Sequence, residues 1–111
     1  MDFYGTAAGY TTYHTARGRD VNGQTEPDIE RALLVSSEWL DGSFDWPGYK
    51  VGTRETQTRD WPRSLVQDRD GYPVDHLTVP TEIEHATYEV AFRYIADNTV
   101  LSPDFTPEKY K

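Results

Sequence analysis

Two stretches of the chain repeat apolar or small side chains at intervals of three and four residues, the spacing of one helix face. The first, residues 26–41, predicts an amphipathic helix that Thr25 can cap, with Pro27 where a missing N–H costs little. The second, residues 79–97, begins around Pro80 and predicts another amphipathic helix. The face-defining positions are Ile29, Ala32, Leu33, Ser36, Ser37 and Leu40 in the first and Ile83, Ala86, Val90, Ala91, Tyr94 and Ile95 in the second.

A shorter helix is expected over residues 7–17, because Tyr10, Tyr13 and His14 fall on one side and Gly18 offers an end. A chain of 111 residues is long enough for one small domain, and too short for a large enclosed active site. We therefore predict a mainly α fold, a small bundle of about three helices formed by residues 1–111.

Residues 42–78 have no helical period and contain several prolines and glycines. Residues 46–49, Trp-Pro-Gly-Tyr, suit a type II turn. A structureless loop of this length is uncommon in a compact domain. We therefore expect a long extended or β-hairpin-like arm that neighbouring subunits help to order. Residues 98–111 carry two prolines and isolated apolar residues, and we expect an extended tail that docks on a partner or stays mobile.

Composition limits the partners. The chain has 11 basic and 19 acidic residues, a net charge of -8, and its mean hydropathy is -0.78. Such a surface gives no general attraction to a polyanion. No apolar run approaches the roughly 18 residues that cross a bilayer, and the first ten residues do not resemble a signal peptide. Cysteine is absent, which excludes disulfides and thiolate metal sites. We expect no membrane partner.

The arm differs in charge from the rest of the chain. Residues 50–69 hold five basic and three acidic residues, a local charge of +2. Aromatic residues in or beside this stretch could stack single-stranded bases. Tyrosine, tryptophan and arginine are also typical of protein interface hot spots, and protein contact does not have to overcome the net charge. Both interpretations stay open, with protein contact favoured.

The sequence argues against four candidate chemistries. Residues 68–71, Asp-Arg-Asp-Gly, are spelled like a calcium loop, but with Gly71 sixth, the first and twelfth positions would be Val66 and Leu77, whose side chains cannot coordinate a cation. A turn is expected there instead. Glu82 and His85 have the spacing of di-iron ligands, but the sequence offers no second such motif, and a solvated charged face pairing His85 with Glu82 and Glu89 is favoured. No nucleophile elbow or phosphate loop is present. We predict no enzyme, no catalytic residue, no metal and no cofactor.

Several segments, in order, resemble small head-tail adaptor or connector proteins of tailed bacteriophages, a family sometimes labelled DnaT-like single-stranded DNA-binding protein. The matching pieces cover nearly the whole chain: YGTAAGYTTYHTARG at residues 4–18, ERALLVSSEWLDG at 30–42, residues 47–52, residues 57–63 ending in Trp-Pro-Arg, residues 70–74, and Val79-Pro80 followed by HATYEVAFR at 85–93.

The resemblance implies a structural role in the neck of a virion assembled in the host cytoplasm. The chain would form a homo-oligomeric ring, usually of twelve copies, between the portal protein and a tail, stopper or terminator protein. Genomic DNA would pass through the channel without specific binding, and an acidic wall would let it slide. The alternative is single-stranded DNA binding by the aromatic and basic arm, residues 46–72.

The favoured interpretation makes these segments protein interfaces. The predicted interface residues of the arm are Trp46, Tyr49, Arg59, Trp61, Pro62, Arg63 and Tyr72, and those of the tail are Leu101, Phe105 and Tyr110.

Overall fold

The computed structural model describes residues 2–52 and 56–97. Its elements in chain order are α1 (Ala7–Ala16), α2 (Glu26–Ser43), β1 (Tyr49–Lys50), β2 (Arg63–Ser64) and α3 (Thr81–Ala96). The predicted mainly α class, with three helices and a hairpin-like arm between the last two, is confirmed. In these two ranges no helix is long and apolar enough to cross a membrane.

The helix α2 follows the sequence pattern closely. Its buried residues are the six predicted from the spacing: Ile29, Ala32, Leu33, Ser36, Ser37 and Leu40. The Thr25 hydroxyl accepts a hydrogen bond from the backbone N–H of Asp28 at 3.4 Å, the expected cap. The helix continues through Gly42 to Ser43, two residues beyond the predicted end. The apolar spacing therefore determined the buried face, whereas the position of the glycine did not determine the last residue.

The helix α3 is rotated from the face that its pattern predicted. Its buried residues are Thr87, Tyr88 and Ala91, and of these only Ala91 belonged to the predicted face. Ile83 and Ile95 are half-buried. Tyr88 takes the central place because its ring packs edge-on against Tyr10 of α1, with 6.1 Å between ring centroids.

The three helices enclose one core, which we call the body core. Its buried members come from all three helices: Tyr10, Ile29, Ala32, Leu33, Tyr88 and Ala91. α2 packs most extensively on α3, and α1 lies against both. A Cβ at Gly5 or Gly9 would collide with the Tyr88 hydroxyl, so glycine leaves room for it. This hydroxyl accepts a hydrogen bond from the Thr6 N–H at 3.2 Å. The aromatic residues of this bundle thus need small neighbours at the start of α1.

A polar cluster closes one side of the body. The buried His14 ring contacts the Tyr88 carbonyl through Nε2 at 2.9 Å and an Arg19 Nη1 through Nδ1 at 3.1 Å. A carbonyl only accepts and a guanidinium only donates, so Nε2 carries the proton and the ring is neutral. Burial lowers the pKa of His14. Glu89 accepts hydrogen bonds from Tyr13 at 2.6 Å and Arg19 at 2.7 Å, rather than pairing with His85 as the sequence suggested.

The arm folds as two short antiparallel ladders joined end to end. β1 and β2 pair Tyr49 with Ser64 and Lys50 with Arg63. The second ladder pairs residue 67 with residue 73 and is closed by a hydrogen bond from the Val74 N–H to the Val66 carbonyl at 2.8 Å. Leu65, between the ladders, adopts a left-handed backbone with φ of 61°. The segment from 63 to 67 is therefore the shared central strand of the arm.

Two turns follow from their sequences. Gly48 has φ of 77°, as a type II turn requires, and a Cβ there would press on the Ser64 carbonyl across the ladder. The Asp68 carboxylate accepts the backbone N–H groups of Asp70 at 2.9 Å and Tyr72 at 3.0 Å. The Asp-Arg-Asp-Gly segment is thus a side-chain-capped turn, as the counting argument predicted.

Candidate interaction surface of the arm

The described part of the arm packs on its own chain. A second core, the arm core, consists of the buried residues Tyr4, Trp61 and Val66. Half-buried Trp46, Val74, Val79 and Ile83 pack around it. Because Tyr4 precedes α1 and Ile83 lies on α3, this core joins both ends of the body to the arm.

One carboxylate organises the junction between α2 and the arm. Asp41 accepts the Tyr4 hydroxyl at 2.7 Å and the Asp60 N–H at 3.2 Å. The Tyr4 hydroxyl in turn accepts the Trp61 N–H at 3.1 Å. An Arg59 Nη1 lies 3.5 Å from Asp41 Oδ2, the oxygen that also accepts the Asp60 N–H, and only about a tenth of either side chain is exposed. The junction is therefore a buried polar network as well as an apolar core.

The junction shifts the ionisation of its members. Burial first, and then the hydrogen bond to Asp41, raise the pKa of Tyr4. Burial and the neighbouring Asp41 charge raise the pKa of Asp60. Two carboxylates held together with one buried guanidinium make this junction sensitive to changes of charge.

Three of the predicted arm contacts are used inside the chain. Trp61 is 4% exposed and lies in the arm core, so its ring is not presented to a partner in this conformation. Arg59 faces Asp41. The Arg63 guanidinium donates hydrogen bonds to three backbone carbonyls, those of Pro47 at 2.7 Å, Gly48 at 2.9 Å and Asp60 at 3.2 Å. The sequence predicted these three residues as contacts to a partner, whereas in this structure they hold the arm to its own chain.

The remaining predicted arm contacts divide by exposure. Tyr49 and Tyr72 are 68% and 69% exposed. Trp46 is half-buried against Trp61, with 5.7 Å between ring centroids, and Pro62 is also half-buried. The tail residues Leu101, Phe105 and Tyr110 lie outside the described residues, as does Arg54 of the basic stretch.

The structure adds exposed apolar residues that the sequence argument missed. Among the described residues, six of the seven large apolar side chains that are exposed lie between positions 44 and 77. Besides the two tyrosines they are Phe44, Val51, Leu65 and Leu77. We call these six residues the exposed arm set. Leu65 and Val66 are adjacent, so strand alternation predicts that they face opposite sides, but not which one faces the core.

Most basic side chains in the described part of the arm contact groups of the same chain. Lys50 reaches the Gln57 carbonyl at 3.3 Å and lies 3.9 Å from Asp60, and Arg59 and Arg63 are bonded as described. Arg69 is exposed on the turn that Asp68 caps. The outer face of the described arm is therefore more apolar than basic.

One comparison with known proteins gives a match. The model of the family described as "Putative DnaT-like ssDNA binding protein" matches residues 1–110. No curated protein and no solved structure matches the chain. Because the family model spans nearly the whole sequence, the chain belongs to this DnaT-like family.

Proposed function

We propose that the protein binds single-stranded DNA through its arm, with the rings of Tyr49 and Tyr72 as stacking platforms. The observation that carries the proposal is that both rings are more than two-thirds exposed, in a chain whose family is described by single-stranded DNA binding. Base stacking on an aromatic ring tolerates any sequence, since every base has a π face.

Each tyrosine has a basic residue close to it along the chain. Exposed Arg69 lies on the turn that ends at Tyr72, whereas Lys50, directly after Tyr49, already contacts the Gln57 carbonyl and Asp60. Arg59 and Arg63 are left out of this DNA contact, because the Arg59 side chain is mostly buried facing Asp41 and Arg63 is hydrogen-bonded to backbone carbonyls. With few free cations in the described part of the arm and a net charge of -8, few phosphates are neutralised, so binding should be weak and its salt dependence shallow.

A titration of labelled oligothymidylate tests the proposal. Tyr49→Ala with Tyr72→Ala should weaken binding about tenfold or more, since one stacked base is worth about 1–3 kcal/mol. Leu65→Ala with Leu77→Ala is the matched control, because it removes two exposed side chains from the same arm without removing an aromatic ring. An equal loss in both pairs, or no binding by the unmodified protein at low salt, contradicts base stacking.

A second candidate function is the structural connector between portal and tail. The description of the matched family does not mention such a role, so the support comes from the sequence resemblance and from the exposed arm set. Exposed aliphatic side chains such as Leu65 and Leu77 gain little from nucleic acid but much from burial against another protein.

Imaging of the purified protein with and without a portal protein tests the connector role. A ring that appears only in the complex, and is lost in Leu65→Ala/Leu77→Ala, supports it. A protein that remains monomeric in both samples contradicts it.

A further inference from the structure

A groove of about 410 Å³ lies between the arm and the first turn of α3. Its floor is the outer side of the arm core: Trp46, Trp61, Val66, Val74 and Ile83. Three of these residues, Trp46, Val74 and Ile83, are only half-buried. The arm core is thus covered by the chain on one side and open along this groove on the other.

Two tryptophans of the floor also have indole N–H groups without a hydrogen-bond partner in the part of the chain that the structure describes. The indole N–H groups of Trp46 and Trp61 are buried without a hydrogen-bond acceptor among the described residues. Buried indole N–H groups ordinarily find an acceptor. Trp61 is only 4% exposed, so its indole N–H cannot bond to bulk water either.

The rim of the groove is acidic. Asp68, Asp70 and Glu82 line it together with Arg69, three carboxylates against one guanidinium, or a net charge of -2. Asp70 and Glu82 are exposed, and no ion pair of the described residues involves them. This rim repels a phosphate backbone and attracts a cation.

We infer that the groove binds a segment of a partner protein that carries an aromatic or large aliphatic side chain flanked by lysine or arginine. The apolar side chain would complete the arm core, and the flanking cations would face the rim. The floor and the rim together determine which segments bind. Burial of apolar area against the floor stabilises the complex, and the negative charge of the rim repels acidic segments and nucleic acid. The rings of Tyr49 and Tyr72 do not line the groove, whereas Arg69, which is close to Tyr72 along the chain, belongs to its rim.

A fluorescence anisotropy titration with three labelled hexapeptides tests the inference on the full-length protein. The probes contain Phe between two lysines, Ala between two lysines, and Phe between two glutamates. The Phe–lysine peptide should bind roughly tenfold or more tightly than either of the others, because each loses one of the two sources of attraction. Its affinity should fall as salt is raised, because the rim is exposed.

Charge reversal on the protein separates the groove from general electrostatics. Asp70→Lys with Glu82→Lys should weaken the Phe–lysine peptide about tenfold or more. Glu30→Lys with Glu38→Lys changes the net charge equally at exposed positions of α2 outside the groove, and should weaken it only slightly. Circular dichroism should show unchanged helix content for both pairs.

Equal weakening by the two pairs, or no preference for Phe over Ala, overturns the inference. So does tighter binding of oligothymidylate than of the peptide at the groove, detected as displacement of the peptide. None of these results would alter the test of base stacking on Tyr49 and Tyr72.

Discussion

The helical body and the arm solve the problem of stability in different ways. The body buries apolar side chains that recur with the helix period. Among the described residues of its three helices, Leu34 is the only large apolar residue that is exposed. In its described residues, 42–52 and 56–78, the arm buries only Trp61 and Val66 from its own sequence and is otherwise held by side-chain hydrogen bonds to backbone groups. The body is therefore organised for packing, and the arm presents apolar surface to the outside. Loops held on a rigid scaffold are where binding residues concentrate.

The largest expected effect contrasts two leucines. Leu33 is fully buried in the body core, and Leu33→Ala should lower the free energy of unfolding by about 2–5 kcal/mol through lost burial and a cavity. Leu77 is 70% exposed, and Leu77→Ala should change it by no more than about 0.5 kcal/mol. Urea denaturation of both variants measures the difference. Similar losses would mean that the arm contributes to stability as the body does.

The next effect breaks the junction between the two regions. Asp41→Asn removes the charge that faces Arg59 and places an amide donor beside the Asp60 N–H, so we expect a loss of about 1.5–3 kcal/mol. Hydrogen exchange should show faster exchange at Trp61 N–H, whose acceptor is Tyr4, than at amides within α2. Glu38→Gln, an exposed change on the same helix, is the control. Uniformly faster exchange in all helices would show that the junction cannot open separately.

Acid should act on the body before the arm. The folded pKa of His14 lies below its ordinary value of about 6.5, so the unfolded chain binds the proton more readily and stability falls as pH decreases below about 6.5. Each such proton contributes at most about 1.4 kcal/mol per pH unit. Glu89, whose folded pKa is lowered by the Tyr13 and Arg19 hydrogen bonds, adds a loss below its ordinary range. Asp60 at the junction has a raised pKa, so its protonation favours the folded arm.

Thermal unfolding from pH 7.5 to 5 measures this response. His14→Gln should flatten the dependence, since the titrating group is gone. An unchanged slope in that variant would assign the pH response to other groups.

The smallest effect concerns Leu65. Its left-handed backbone costs a non-glycine residue about 1–2 kcal/mol, and its side chain is 83% exposed, so it returns little burial within the chain. Leu65→Gly relieves the strain but adds chain entropy to the unfolded state, and the net change should be within about 1 kcal/mol. A partner that uses the exposed arm set should bind this variant more weakly. A loss of stability above about 2 kcal/mol would show that the Leu65 side chain packs within the chain.

The sequence by itself determined the helices and the interior of α2, because an amphipathic helix needs its apolar residues at fixed spacing whatever it packs against. It also determined that the Asp68 segment is a turn, since ligand spacing is a matter of counting. Tertiary structure decided the rest. Whether Trp61 and Arg59 face a partner or the chain itself depends on where Tyr4 and Asp41 lie, at distant positions in the sequence. Arg63 is directed inward by the carbonyls of the turn at Pro47 and Gly48. The buried face of α3 depends on Tyr10 opposite Tyr88. An irregular arm has no period from which its inner side can be deduced, so only packing against the body separates Val66, which is buried, from Leu65, which is not.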